Sequence, residues 1–207
     1  MDVLGGSRMH GFLPARRSLL GAAAVCAALL LAGCGKSAPA FVGSDITGTH
    51  LGSALAMVDN TGSPRTLADY KGKVVVVFFG FTQCPDVCPT AMAEMAHAME
   101  LLGDDAGKVQ VLMITVDPER DTPEILDSYV KAFNPHFVGL TGSADQLAAT
   151  AKSFRAYYSK VPGKTPQDYT MDHGSSFYIL DQAGEARVLV RGDAPAQDIV
   201  KDIRQLL

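Results

Sequence analysis

The sequence predicts an α/β fold in which a central mixed sheet is flanked by helices and extended on its N-terminal side by a β-hairpin. Val74–Phe79 is a run of β-branched and aromatic residues, the pattern of a strand that is buried on both faces. Val109–Val116 repeats this pattern after a segment of good helix formers, Thr90–Leu102. The 207 residues suffice for one domain of ordinary size and a targeting segment.

The first 33 residues have the layout of an export signal. Arg8, Arg16 and Arg17 precede the apolar run Leu19–Leu31, and small residues follow it. The apolar run is shorter than the roughly 18 residues that a membrane-spanning helix needs. Leu31–Cys34 (LAGC) resembles the lipobox of bacterial lipoproteins, in which the cysteine is lipidated. The alternative is an ordinary cleaved signal in which Cys34 is incidental.

The lipobox resemblance gives the expected organisation of the chain. Residues 1–33 are predicted to be a lipoprotein signal peptide, residues 34–44 a tether, and residues 45–207 the folded domain. We expect a lipid anchor at Cys34 that holds the domain to a membrane of the bacterial cell envelope, facing the periplasm. The net charge of −4 argues against nucleic acid as a partner, because such proteins present a basic face.

Turn signals and apolar periodicity define the remaining elements. The apolar patch Ala54–Val58 is preceded by Asp45–Gly48 and followed by the turn cluster Asp59–Ser63, so this region is predicted to be the β-hairpin. The later elements are, in chain order, a strand at Val109–Val116, a helix ending near Phe133, a short strand at Phe137–Leu140, a helix from Ser143 to about Ser153, an exposed loop at Tyr157–Tyr169, a hairpin formed by Ser176–Asp181 and Ala186–Val190, and a closing helix from Pro195 to Leu207. This order, with a cysteine-bearing turn after the first central strand, is the thioredoxin plan.

Cys84 and Cys88 lie in the turn between the first central strand and the following helix. Pro89 is compatible with a first helical turn, because its missing N–H would have no partner within the helix. The helix N-terminus favours anionic sulfur, and thiolate both attacks disulfides and binds metals. Three residues separate the two cysteines, a spacing that can close a disulfide or hold a metal ion. The alternative is that the two cysteines have no chemical role and form a structural disulfide or a pair of buried thiols.

His173 is the candidate for a third metal ligand. It lies in Tyr169–Phe177, in the predicted loop just before a late strand. In thioredoxin-like folds this loop faces the cysteine turn and normally carries a cis-proline, which this sequence lacks. Two thiolates suit Cu(I), and an added imidazole suits either oxidation state of copper. Asp172 is a candidate to orient the imidazole, but a solvated side chain is an equally good interpretation. Asp86 is a candidate to tune the properties of the site, but an ordinary role in the turn is equally good.

Three motifs in this order make the chain similar to the Sco/SenC family of copper-binding assembly factors of cytochrome c oxidase. They are Phe79–Pro89 (FGFTQCPDVCP), Val116–Pro123 (VDPERDTP) and Tyr169–His173 (YTMDH). The resemblance implies that Cys84, Cys88 and His173 bind one copper ion per chain, as Cu(I) or Cu(II). It implies delivery of this copper from a donor protein to the dinuclear copper centre of oxidase subunit II. The alternative is a thiol–disulfide reductase that acts on the cysteines of that centre, with Cys84 attacking and Cys88 resolving.

Other residues have simpler interpretations. Met92, Met95 and Met99 share one helical face, and core packing is favoured over copper binding because Leu102 continues the same face. The charged residues of Asp117–Asp121 are predicted to form a local ion-pair network with helix capping, rather than a partner surface. The remaining histidines of the mature domain, which have no partner motif, are predicted to lie on the surface; they are His50, His97 and His136.

Overall fold

The structure is a computed structural model that describes residues 40–165 and 168–207. Its strands are β1 (Ser44–Asp45), β2 (Ala56–Val58), β3 (Pro64–Thr66), β4 (Val74–Gly80), β5 (Val109–Thr115), β6 (Val138–Leu140), β7 (Tyr158–Pro162), β8 (Tyr169–His173), β9 (Ser176–Leu180) and β10 (Ala186–Arg191). Its α-helices are α1 (Val87–Leu102), α2 (Pro123–Phe133), α3 (Ala144–Phe154) and α4 (Ala196–Arg204), and short 3-10 helices cover Leu67–Tyr70 and Gly103–Lys108. The predicted signal peptide and Cys34 lie outside the described residues.

A six-stranded mixed sheet with the order β1-β10-β9-β4-β5-β6 confirms the predicted thioredoxin-like α/β fold. The central strand β4 pairs in parallel with β5 and antiparallel with β9. All of its residues are buried, as a continuous apolar strand between two covered faces requires. The described helices are amphipathic elements packed on this sheet, and none has the length and apolar character that crossing a bilayer requires.

The N-terminal hairpin forms, although from fewer residues than predicted. β2 and β3 pair as a separate antiparallel sheet around the turn that begins at Asp59. The preceding segment does not belong to it, because Ser44 and Asp45 pair with β10 at the edge of the central sheet. Backbone hydrogen bonds between Val58 and Thr141 fasten the hairpin to the segment after β6.

The prediction that Tyr157–Tyr169 is an exposed loop is correct on exposure but wrong on structure, because Tyr158–Pro162 forms β7 and Tyr169 begins β8, and the two strands make a second hairpin. β7 and β8 pair in antiparallel register, with Tyr158 opposite His173. The polar composition misled the prediction, since this two-stranded sheet exposes most of its side chains and only Met171 is buried. Pro162 is tolerated because it is the last residue of β7, where a missing N–H interrupts little of the ladder.

The helix after the cysteine turn begins earlier than predicted. α1 starts at Val87 instead of Thr90, so that Cys88 lies in its first turn and Asp86 takes the N-cap position. The next two helices carry side-chain caps at their N-termini: the Thr122 hydroxyl accepts a hydrogen bond from the Ile125 amide, and the Ser143 hydroxyl accepts one from Gln146. The cysteine pair therefore spans the end of a turn and the start of a helix.

Candidate metal centre

Three elements bring the predicted ligand residues together. Cys84 lies in the turn that follows β4, Cys88 lies in the first turn of α1, and His173 is the last residue of β8. One candidate ligand atom from each side chain lies within 4.8 Å of the others. Two soft sulfurs and one imidazole nitrogen are a donor set that fits copper. The site can therefore hold a metal ion, whereas the ligand role of the individual residues stays a prediction.

A backbone carbonyl, not a carboxylate, orients the His173 ring. Nδ1 lies 3.0 Å from the Gly174 carbonyl oxygen, which can only accept, so Nδ1 carries the hydrogen. The other ring nitrogen, Nε2, faces the Cys88 sulfur, 3.3 Å away. The exposed Asp172 side chain has no part in this arrangement, so the structure favours the solvated interpretation of that residue. His173 also lies at a strand end and not in a loop, and the described residues contain no cis peptide bond.

The two thiols differ in accessibility. Cys84 is partly exposed, and its sulfur accepts a hydrogen bond of 3.4 Å from the Cys88 amide. Cys88 is fully buried, and burial raises the pKa of its thiol, helped by the neighbouring Cys84, although a hydrogen bond from the Phe81 backbone acts in the opposite direction. At Cys88, burial therefore acts against the anionic sulfur that a helix N-terminus favours. Cys84 is therefore the more accessible sulfur of the pair.

Aromatic rings line the inner side of the site. The His173 ring makes edge contacts with Phe78 and Phe81, at centroid distances of 6.2 and 5.7 Å. Gly80 lies beside them, and a Cβ atom placed on it would lie 3.1 Å from the Cys88 sulfur. This glycine therefore leaves room for the sulfur.

A buried carboxylate fixes the start of the cysteine turn. Asp121 has no exposed surface and accepts hydrogen bonds from the Thr82 amide at 3.0 Å, the Thr82 hydroxyl at 2.6 Å and the Thr115 hydroxyl at 2.7 Å. Thr82 lies two residues before Cys84. The sequence placed Asp121 in a local charged network, and the structure shows a network of hydroxyl and amide donors instead. The motif DPERDTP drew attention to Asp121 in the sequence, but the hydrogen bonds between Asp121 and Thr82 were not predicted.

Residues near the site that carry no ligand role also have defined positions. Met92, Met95 and Met99 are buried in the core, as predicted from their shared face. The hydroxyl of Tyr129 on α2 is buried and has no hydrogen-bond partner among the described residues. Burial raises the pKa of Tyr129, and the thiols of Cys88 and Cys84 add to the effect. No sequence pattern indicated a special position for Tyr129. The three remaining histidines are exposed as predicted: His50, His97 and His136.

Comparison with known sequences identifies a family model and individual relatives that match large parts of the described domain. The sequence model of the SCO1/SenC family matches residues 44–207. The mitochondrial SCO2 homolog of Bos taurus is 43% identical over 131 residues, which are 62% of this chain and 49% of that protein. The chain spans about half to three fifths of the length of the first curated relatives that it matches.

Solved structures of similar proteins share the fold. Bradyrhizobium japonicum ScoI, a structure with copper bound, is 36% identical, with a TM-score of 0.68, and the match covers 81% of this chain and 100% of that chain. A SCO1/SenC family lipoprotein from Bacillus anthracis is 32% identical, with a TM-score of 0.63, over 73% of this chain and 91% of that chain.

Proposed function

The chain belongs to the SCO1/SenC family, and we propose that it is a copper metallochaperone that delivers copper to the dinuclear centre of cytochrome c oxidase subunit II. The observation that carries this proposal is the convergence of Cys84, Cys88 and His173 within 4.8 Å. Support comes from the copper-bound structure of the similar ScoI protein. Copper is the cargo in this proposal, received from a donor protein and held as one ion per chain.

Exposure at the site suits transfer by ligand exchange. Cys84 and His173 are half-buried, so an incoming thiolate or imidazole of a partner can approach them from solvent. Cys88 is covered by the core and holds its position while the other two donors exchange. Because the Gly174 carbonyl accepts a hydrogen bond from Nδ1, Nε2 is the imidazole nitrogen that can bind the ion.

The test is copper stoichiometry and absorption of the purified domain, beside the Cys84→Ser and His173→Ala variants. We expect one copper per chain and sulfur-to-Cu(II) charge-transfer bands that both substitutions abolish. His97→Ala on the exposed side of α1 is the matched control and retains the bands. A fully reduced protein that retains no copper would contradict the proposal.

A thiol–disulfide reductase is the second candidate, and the unequal exposure of the cysteines favours it specifically. The Cys84 thiolate would attack a disulfide sulfur of the partner and form a mixed disulfide. Cys88, after losing its proton, would then attack the Cys84 sulfur, release the partner as a dithiol and leave a Cys84–Cys88 disulfide. This transfers two electrons and requires an external thiol reductant to restore the enzyme. A His173→Ala variant that loses copper but reduces a CxxxC disulfide peptide at the wild-type rate would support this function.

The attachment to the envelope is part of the same proposal. Residues 1–33 would be removed as a lipoprotein signal peptide, residues 34–44 would form the tether, and lipidated Cys34 would hold the copper domain on the periplasmic side. The description of the Bacillus anthracis relative as a lipoprotein supports this. Mass spectrometry of the N-terminal peptide from the membrane fraction tests it, with Cys34→Ser as the variant that is expected to leave the membrane. An unmodified Cys34 would contradict it.

A further inference from the structure

The hairpin that carries His173 lies outside the central sheet. β7 and β8 pair only with each other, as a separate two-stranded sheet. A two-stranded hairpin alone is marginally stable in water, so contacts elsewhere must hold it in one place. Its position matters because a shift of the hairpin moves the imidazole away from the two thiols.

Tyr169, the first residue of β8, makes those contacts with the loop after β5. The guanidinium carbon of Arg120 lies 3.7 Å from the centre of the Tyr169 ring, and the Lys160 ammonium lies 3.8 Å from it. The Tyr169 hydroxyl donates a hydrogen bond of 2.8 Å to Asp117, and Arg120 donates one of 2.9 Å to the Tyr169 carbonyl oxygen. An ion pair between Arg120 and Asp117 closes the set. We call Asp117, Arg120 and Tyr169 the hairpin clamp.

Two of the three residues of the hairpin clamp, Asp117 and Arg120, are shielded from water, and Tyr169 is half-buried. The Asp117 side chain is 2% exposed and the Arg120 side chain 18%. Such desolvation makes a cation stacked on a ring and a bond to a carboxylate stronger than at an open surface. Burial, and then the bond to Asp117, raises the pKa of Tyr169 to about 12, so the hydroxyl remains a donor at neutral pH.

The loop that holds the hairpin also holds the cysteine turn. Asp117 and Asp121 belong to this loop, and Thr115 bridges them by accepting from the Asp117 amide at 2.9 Å and donating to the Asp121 carboxylate at 2.7 Å. Asp121 in turn fixes Thr82 ahead of Cys84. The loop after β5 therefore contacts both the hairpin that carries His173 and the turn that carries Cys84.

From this geometry, and resting on the proposed function, we propose that Asp117, Arg120 and Tyr169 are positioning residues that hold His173 against the two thiols. Without the hairpin clamp, the three-donor site becomes a two-thiol site. Two thiolates satisfy Cu(I), whereas Cu(II) needs the imidazole. The clamp thus determines the oxidation state of copper that the site retains.

The first test uses the metal-free protein and needs no copper. In the wild-type chain the His173 ring lies against Phe81 and Phe78, so nuclear Overhauser effects between these rings are expected. Tyr169→Ala is expected to abolish them. The control is Tyr157→Ala, since Tyr157 precedes the same hairpin and is 59% exposed. Persistence of the effects in Tyr169→Ala would overturn the inference.

The second test compares the two oxidation states of copper. Tyr169→Ala is expected to weaken Cu(II) binding by about 10- to 100-fold, the usual effect of removing an outer partner of a ligand, and to leave Cu(I) binding close to wild type. Tyr169→Phe keeps the stacked ring and loses only the hydrogen bond to Asp117. Its Cu(II) affinity is therefore expected to lie between those of the wild-type chain and Tyr169→Ala. Equal weakening of Cu(I) and Cu(II) would overturn the inference, because it would indicate general unfolding.

The two proposals fail in distinguishable ways. A wild-type chain that binds no copper, but loses the ring contacts in Tyr169→Ala, would contradict the proposed function and leave the positioning role intact. A wild-type chain that binds Cu(II), together with a Tyr169→Ala variant that binds it equally well, would contradict the positioning role alone. Arg120→Lys, which retains the charge but not the planar group, gives an independent variant if Tyr169→Ala does not fold.

Discussion

At the scale of single residues, Gly80 defines the space available to the Cys88 sulfur. A Cβ atom on Gly80 would lie 3.1 Å from that sulfur and 2.8 Å from the Phe78 ring. Both neighbours are fully buried, so neither has free volume into which it can move. The sequence showed the glycine, but the approach of a sulfur from the next helix is a tertiary contact that no local pattern contains.

We therefore predict that Gly80→Ala lowers the free energy of unfolding by about 1–3 kcal/mol, the usual effect of overpacking a core. It also displaces Cys88, and weaker copper binding is expected. Urea unfolding and copper titration measure the two effects. Gly107→Ala is the control, because a Cβ atom there meets nothing within 4 Å. Equal stability of Gly80→Ala and wild type would contradict the prediction.

Tyr129 gives a prediction of the opposite sign. Its hydroxyl is buried without a partner among the described residues, and an unsatisfied buried polar group destabilises the folded state by about 1–3 kcal/mol. Tyr129→Phe removes this group and keeps the ring contact with Phe133. We expect the free energy of unfolding of the metal-free protein to rise by about 1 kcal/mol.

Chemical denaturation of both proteins checks this prediction for Tyr129. Tyr157→Phe on the exposed surface is the control and is expected to leave stability unchanged. A fall in stability on Tyr129→Phe would mean that the hydroxyl has a partner in solution, for example an ordered water molecule, and the prediction would be wrong.

At the scale of elements, Asp121 connects the loop after β5 to the turn after β4. Its two oxygens receive three hydrogen bonds, from the amide and hydroxyl of Thr82 and from Thr115. Asp121→Asn leaves one acceptor oxygen and turns an NH₂ group toward the remaining donors. We predict a loss of about 2–3 kcal/mol in the free energy of unfolding, since bonds to a charged group contribute more than neutral ones.

The same substitution is also expected to speed alkylation of Cys84, because the turn is no longer held at Thr82. Asp127→Asn on α2 is the matched control, since it removes only a surface pair with Lys131 and such pairs contribute little. If alkylation of Cys84 is no faster in Asp121→Asn than in this control, the Asp121 network does not hold the turn.

The elements that the sequence predicted correctly are those with strong local periodicity. β4, β5 and α1 have long apolar patterns, and the β9–β10 hairpin has a clear turn between its strands. The β7–β8 hairpin was missed because its segment is mostly polar and contains Pro162, which is typical of a loop, although the five residues of β8 alternate between more and less buried side chains. The clamp was also missed, since Arg120 and Tyr169 are far apart in the chain and their contact depends on the fold.

The residues of the candidate site also differ in how far the sequence predicted them. Cys84 and Cys88 are recognisable from a strand, a turn and a helix that are adjacent in sequence. His173 was reached through the plan of the fold and the family resemblance. The residues around them, such as Gly174 as the acceptor for Nδ1, follow from the three-dimensional arrangement alone.

At the scale of the whole molecule, the termini of the described domain are fastened together away from the site. Asp202 on α4 is 1% exposed and accepts hydrogen bonds from the Val42 and Gly43 amides at 2.6 and 2.8 Å. The first residues of the domain are thereby tied to its last helix. The candidate metal centre, by contrast, lies at the C-terminal end of the central strand β4. The Asp202 contacts are thus separate from the candidate ligand residues, whereas Gly80 and Asp121 serve both stability and the site.

The dependence of global stability on pH provides a test of such a separation. Burial tends to raise the pKa of Asp59, but hydrogen bonds from Thr61, Arg65 and Ser63 together lower it from 3.8 to about 2. The unfolded chain therefore takes up a proton at a higher pH than the folded chain. This carboxylate contributes about 2 kcal/mol at neutral pH, and the contribution is lost as the pH falls from about 4 through 2.

We predict that Asp59→Asn lowers the free energy of unfolding by about 2 kcal/mol at neutral pH and that the difference from wild type shrinks toward zero near pH ~2. Denaturant unfolding across this range measures it, with Asp105→Asn as an exposed control that pairs only with Lys108. Copper binding at neutral pH is expected to remain as in wild type, because the β2–β3 hairpin lies apart from the central sheet. If the difference in unfolding free energy between Asp59→Asn and wild type stays constant with pH, Asp59 acts through packing. A contribution from the ionised carboxylate must disappear in acid, because protonation removes the charge that its hydrogen-bond donors stabilise.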